Sequence, residues 1–121
     1  MVKLVYCLRR RADVAPEEFH RYWLEVHGPK VKGVAAALRA RRYVQSHTTA
    51  PELNAMFVAS RGLGAAYDGI TEVWWDTLDD VTAALATPEG AAAGAMLVED
   101  ESRFIDFPRS SVFMTTEHEI F

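Results

Sequence analysis

The stretch that most restricts this chain is its first strand-like segment. Residues 2–9 alternate Val2, Leu4, Tyr6 and Leu8 with Lys3, Val5, Cys7 and Arg9, and both sets carry apolar side chains. A strand of this kind, rich in Val, Leu and Tyr, suits a sheet covered on both faces. The chain has 121 residues, half of them apolar and a quarter charged. That is one folded domain's worth, too short for two independent cores. One layer of cover must come from the chain's own helices and the other from elsewhere.

The helices can be placed by their punctuation. Pro16 suits a first helical position, with Glu17 and Glu18 complementing the N-terminal dipole, and Gly28-Pro29 reads as the end of that helix. Phe19, Tyr22, Trp23, Val26 and His27 then share an arc of about 140° at 100° per residue, with Arg21 and Glu25 opposite. An Ala-rich helix is expected over Val31 to Arg41, closing on Arg39, Arg41 and Arg42. Residues 42–48 read as a second strand. Thr49 to Asp68, with Pro51, Gly62 and Gly64, reads as a long loop with at most a short helical turn. Ile70 to Asp76 is a third strand. Thr77 and Thr87-Pro88 are helix starts, for helices running to about Leu85 and Glu101. Ser110 to Phe121 alternates as a long last strand.

The order is β-α-β-β-α-β over residues 1–121, an α+β ferredoxin-like unit with a four-stranded antiparallel sheet and helices on one face. The other face then holds large apolar residues that need cover. A second copy about a two-fold axis supplies it most simply, so a homodimer packed sheet to sheet is expected.

Composition excludes several roles. Thirteen basic residues against seventeen acids leave a net charge of −4, without the basic excess of a nucleic-acid partner. No apolar run approaches the roughly 20 residues of a membrane span, and the N-terminus lacks the features of a secretory signal. A lone Cys7 rules out an internal disulfide and cysteine-cluster metal sites. His20 and His27 lie seven apart, His47 is on another element and His118 is near the terminus, so metal binding is not favoured. One axial histidine would suffice for haem. The expectation is a cytoplasmic protein.

The most informative string is Phe19-x-x-Tyr22-Trp23-x-x-x-His27-Gly28-Pro29. With Arg42-Tyr43-Val44-Gln45-x-His47, Tyr67-Asp68-Gly69-x-x-Glu72-x-Trp74-Trp75-Asp76, Phe104-Ile105-Asp106 and a late Glu117-His118, it resembles the EthD family of the dimeric α+β barrel superfamily. The resemblance implies a ferredoxin-like homodimer with no bound metal or organic cofactor. Family members are linked to ether degradation and to decarboxylation or dehydration of aromatic polyketides. Superfamily relatives include cofactor-independent oxygenases, cyclases and haem-degrading enzymes. The fold does not choose among these.

Each candidate residue has two readings. His27, on the buried stripe at a helix end, caps carbonyls or serves as general acid or base at the mouth of an apolar pocket. Tyr43, Gln45 and His47 set three polar tips on one strand face within roughly 13 Å. They belong to an exposed face, or they are buried and paired or bind a ligand. Tyr43 and His47 would then orient a phenol or carbonyl oxygen. Trp74 and Trp75 point to opposite faces; Trp75 and Trp23, with Phe19 and Tyr22, are candidate apolar walls for an aromatic ligand. Arg9 and Arg42 are surface cations or anchors for a carboxylate. The expected activity is proton-transfer chemistry, giving decarboxylation, dehydration or cyclisation of an aromatic or polyketide-like molecule, with His27, Tyr43 and His47 catalytic. A non-catalytic binding protein serving a degradative oxygenase, and a cofactor-independent or haem-dependent monooxygenase, are the alternatives.

Overall fold

The computed structural model describes residues 1–121. Strands β1 (Val2–Leu8), β2 (Arg42–His47), β3 (Gly69–Trp75) and β4 (Ser111–Thr116) form one antiparallel sheet in the order β2-β3-β1-β4. Helices α1 (Pro16–Tyr22) and α2 (Gly28–Val34) lie between β1 and β2, and α3 (Pro51–Arg61) lies between β2 and β3. Helices α4 (Leu78–Ala86) and α5 (Pro88–Glu101) lie between β3 and β4 and meet at a bend of 92°. This is the α+β ferredoxin-like arrangement. No single helix is long and apolar enough to cross a membrane.

Register decides which side chains meet the helices. Tyr43, Val73, Leu4 and Met114 stand in one cross-strand row, and Gln45, Thr71, Tyr6 and Val112 in the next. Gly69 and Leu8 continue that face beside His47. The opposite face carries Val44, Glu72, Val5 and Phe113 in one row and Arg42, Trp74, Lys3 and Thr115 in another. Its charges are matched locally. Lys3 pairs with Glu72 at 2.8 Å, and the Arg42 guanidinium lies over the Trp74 ring at 4.6 Å.

Between sheet and helices, Leu8, Phe19, Trp23, Phe104 and Ile105 form the buried core, flanked by Tyr6, Val14 and Tyr22. Burying an aromatic or leucine side chain of this size contributes about 1.5–3 kcal/mol each. Phe19 packs on Trp23 and Phe104 with ring centroids 5.6 Å apart in both pairs.

Four sequence expectations need correction. Gly28-Pro29 does not end the first helix. A π turn over Trp23–His27 joins α1 to α2, with the Gly28 N–H donating to the Trp23 carbonyl. Pro29 has no N–H to give to the preceding turn, and a widened turn absorbs the missing bond. The second helix begins at Gly28 and stops at Val34 rather than running from Val31 to Arg41, and Arg39 turns the chain with a left-handed φ of 57°. Thr49 to Asp68 is not mainly loop. Pro51 at a first helical position opens the eleven-residue α3, which Gly62 closes at φ 62°. The last strand ends at Thr116, because β1, its only partner, runs out there. The helix starts at Thr77 and Thr87 are as expected, their hydroxyls accepting from the N–H groups of Asp80 (3.1 Å) and Gly90 (3.0 Å).

Gly69 opens β3 directly against the Trp23 ring. A Cβ there would stand 2.4 Å from Trp23 Cζ3 and 2.9 Å from the Ser46 carbonyl oxygen, whereas one at Gly33 would meet nothing within 4 Å. Gly69→Ala is expected to lower unfolding free energy by about 1–3 kcal/mol through overpacking. Gly33→Ala should leave it unchanged or raise it by about 0.5–1 kcal/mol. Urea unfolding of the two variants checks the pair.

Candidate functional site

The helices do not seal against the sheet over its whole area. A cavity of about 240 Å³ lies between them, walled by β1, β3, α2, α4 and α5 side chains such as Leu4, Val73, Val31, Val81, Ala84 and Leu97. A dry cavity of about 150 Å³ suffices for benzene, so this one admits a larger ring system. Sixteen of its nineteen lining residues are hydrophobic. The titratable groups among them are Tyr6, His27, Tyr43 and Glu101.

His27 sits on the last residue of the π turn and is 5% exposed. Its Nδ1 lies 2.7 Å from Asp100 Oδ2. Asp100, 2% exposed, also accepts at Oδ1 from the Tyr22 hydroxyl (2.5 Å) and the Lys30 ammonium (2.7 Å). Burial opposes ionisation of this carboxylate. Its hydrogen bonds from Lys30, Tyr22 and His27 outweigh burial and hold its pKa down to about 2. An ionised Asp100 accepts only, so the His27 proton resides on Nδ1. Burial pushes the His27 pKa below its ordinary value, against the pull of Asp100 and with help from Lys30. The imidazole is therefore neutral at pH 7, and Nε2 presents a lone pair. That nitrogen has no partner in the chain and is not sealed from access.

Tyr43 is held from behind. Gln45 Nε2 donates to the Trp23 carbonyl at 2.8 Å and to the Tyr43 hydroxyl at 2.9 Å, and Gln45 Oε1 faces His47 Nε2 at 2.8 Å. A carbonyl only accepts, so the Gln45 nitrogen must face Trp23 and its oxygen must accept from His47 Nε2–H. His47 Nδ1, left without a proton, accepts a hydrogen bond from His20 Nδ1–H at 2.8 Å. Every donor in this row points inward, and the Thr71 side chain also lies within hydrogen-bonding reach of the Tyr43 hydroxyl. Burial raises the Tyr43 pKa, keeping the hydroxyl protonated. Trp23 stacks on His47 with centroids 4.3 Å apart.

Glu101 reaches the cavity from the last position of α5. Burial among apolar side chains drives its pKa up to about 7, against the Tyr6 hydroxyl, with the charge of Asp100 adding to the rise. At neutral pH about half of the Glu101 carboxyls still carry a transferable proton. The site thus combines a neutral base, a neutral acid and a fixed hydroxyl donor inside an apolar wall. That set can move protons on a carbonyl compound.

The sequence candidates divide into two groups. His27, Tyr43, Trp23 and Trp75 line the cavity, with the Trp75 indole N–H fixed on the Leu38 carbonyl at 2.7 Å. His47 and Gln45 do not; they stand behind Tyr43 and set its orientation, because His47 is drawn onto Trp23 and His20. Phe19 and Tyr22 do not line it either. Phe19 is consumed by the core, and the Tyr22 hydroxyl is turned to Asp100. Asp100 and Glu101 escaped the sequence reading. The available signal was two acids closing the small apolar stripe of Gly90, Ala93 and Leu97 at helical spacing.

Solved structures share the fold. An EthD-family protein from Bacillus halodurans is 18% identical, with a TM-score of 0.64, covering 98% of this chain and 99% of that one. A dimeric ferredoxin-like protein of unknown function from Bacteroides fragilis is also 18% identical, with a TM-score of 0.59, covering 94% and 93%. The cofactor-independent oxygenase SnoaB from Streptomyces nogalater is 14% identical, with a TM-score of 0.56, covering 98% and 93%. No curated protein matches the sequence. The family model of the EthD domain matches residues 11–108, most of the chain, and the protein belongs to the EthD family.

Proposed function

We propose that this protein is an enzyme of proton-transfer chemistry, eliminating water from, or closing a ring in, an aromatic or polyketide-like carbonyl compound bound in the cavity. The observation that carries the reading is His27, anchored through Nδ1 to a buried carboxylate, without a partner on Nε2, and lining an apolar cavity. In an elimination, His27 Nε2 takes the proton from the carbon next to the carbonyl. The electron pair passes to the carbonyl oxygen, which the Tyr43 hydroxyl stabilises. The pair then returns to form the carbon–carbon double bond while the β-carbon–oxygen bond breaks, and the Glu101 proton leaves with the hydroxyl as water. The proton on His27 restores Glu101. Decarboxylation fits less well, since no cation lines the cavity to receive a carboxylate.

Turnover is tested with β-hydroxy aryl ketones, following the conjugated product by absorbance. His27→Gln, whose amide can still donate to Asp100, is expected to lower the rate about 10²–10⁴-fold in a protein that remains folded. In the wild type, activity should fall as pH rises past about 7, where Glu101 loses its proton. A His27→Gln variant with full turnover removes the mechanism. The similarity to SnoaB supports a second reading, in which the same base ionises a phenol or enol for attack by dioxygen. Oxygen uptake with an electron-rich phenol separates the two.

Glu101 also leaves a mark on stability that needs no substrate. In the unfolded chain it ionises near 4.5, and in the folded chain near 7. Deprotonation therefore favours the unfolded state, and stability is lost as pH rises from about 4.5 to 7. Glu101→Gln should match the wild type at pH 4 and exceed it by about 2–3 kcal/mol at pH 8. Denaturant titrations at the two pH values check the difference.

We also propose that the protein works as a homodimer joined through the open sheet face. That face exposes half of Phe113 beside Val5, Val44 and Ile70, and the Bacteroides fragilis protein of the same fold is described as dimeric. Sedimentation at micromolar concentration should show a dimer for the wild type and a folded monomer for Phe113→Asp.

A further inference from the structure

Outside the cavity, α2 and the free edge of β2 enclose an open groove. Leu24, Gly28 and Pro29 form one side, and Arg41, Arg42 and Gln45 the other, with Lys32 at the rim. Val31, Ala40 and Tyr43 line both this groove and the cavity, so the partition between the two spaces is one residue thick. The two spaces differ sharply in character. The cavity holds no cation, whereas the groove holds three and no acid, in a chain whose acids outnumber its bases by seventeen to thirteen.

The cations of the groove are little used by the fold. Lys32 makes no ion pair, and Arg41 is 63% exposed on its side chain with only a loose contact to Asp76 at 3.8 Å. Arg42, by contrast, has its guanidinium drawn over Trp74. Arg9, the other arginine that the sequence offers as a carboxylate anchor, is spent. Its guanidinium donates to the carbonyls of Ala65 and Ala66 and stacks on Tyr67 at 4.1 Å.

We infer that the groove is the vestibule of the cavity and that its ligand is an amphipathic anion. Resting on the reading of the cavity as the reaction chamber, this assigns the apolar ring system to the inside, past Tyr43, and a carboxylate to the outside, against Lys32 and Arg41. Moving an ionised carboxylate into the apolar chamber would forfeit its hydration without a partner, while the vestibule keeps it solvated and paired. The carboxylate is thus an anchor that survives the reaction rather than the group that is lost.

The test uses calorimetry with 2-naphthoate and its neutral counterpart 2-naphthamide, at low and high salt, on the wild-type protein and the Lys32→Gln/Arg41→Gln double variant. The wild type is expected to bind naphthoate about tenfold more tightly than naphthamide at low salt, with the gap narrowing as salt is added. In the double variant the gap should close while naphthamide affinity stays unchanged. Equal binding of the two compounds to the wild type, or a gap that survives in the double variant, overturns the anion assignment and leaves the cavity reading standing. If neither compound binds the wild type, both readings are overturned.

Discussion

A buried carboxylate with three donors organises this molecule. Asp100 on α5 gathers His27 from the π turn, Tyr22 from α1 and Lys30 from α2, and each of these contacts spans about seventy residues of sequence or more. Removing a partner from such a buried charge costs several kcal/mol, because the remaining ion has no water to turn to. The same contacts lock the helix layer against itself and fix the tautomer of the one imidazole that reaches the cavity. Lys30 matters for the chemistry as well as the packing. By neutralising Asp100 it weakens the pull on His27, leaving burial to keep that ring unprotonated.

The π turn is the second constraint, and it follows from one residue. Pro29 has no N–H, so an ordinary helical turn would leave a carbonyl unpaired. Widening the turn sends the Gly28 N–H to the Trp23 carbonyl and leaves that carbonyl facing β2, where Gln45 also donates to it. Trp23 consequently ties three things together. Its ring presses on Gly69 and stacks on His47, its backbone holds Gln45, and its outer surface is cavity wall.

Much of this was legible from sequence because strand alternation and helix punctuation are local. Thr77 and Thr87 cap their helices wherever the helices pack, and Pro16 and Pro51 both open one. Pro51 and Pro29 were nevertheless read with the wrong weight. A proline followed by glycines suggested loop where α3 forms, and Gly28-Pro29 suggested a stop where the helix only widens. At the site, the stripe ending in His27 and the Tyr43-Gln45-His47 face identified side chains but not depth. Which of them reaches the cavity depends on partners far away in sequence: His20 draws His47 aside, and Asp100 claims Tyr22. Asp100 and Glu101 continue the apolar stripe of their helix, but how deeply they are covered depends on α1 and α2, which lie some seventy residues away in sequence.

The inward row of donors from His20 to Tyr43 decides which way round a guest lies. Tyr43 offers a hydrogen to the cavity, and His27 Nε2, on a different wall, offers only a lone pair. Neither can exchange roles without breaking a hydrogen bond behind it. A guest with one acceptor and one acidic C–H satisfies both walls only with its acceptor at Tyr43 and its C–H at His27, so the two walls choose which end of the guest lies where. Two such contacts leave the guest free to turn over about the line joining them, and only the shape of the apolar wall can tell its two faces apart.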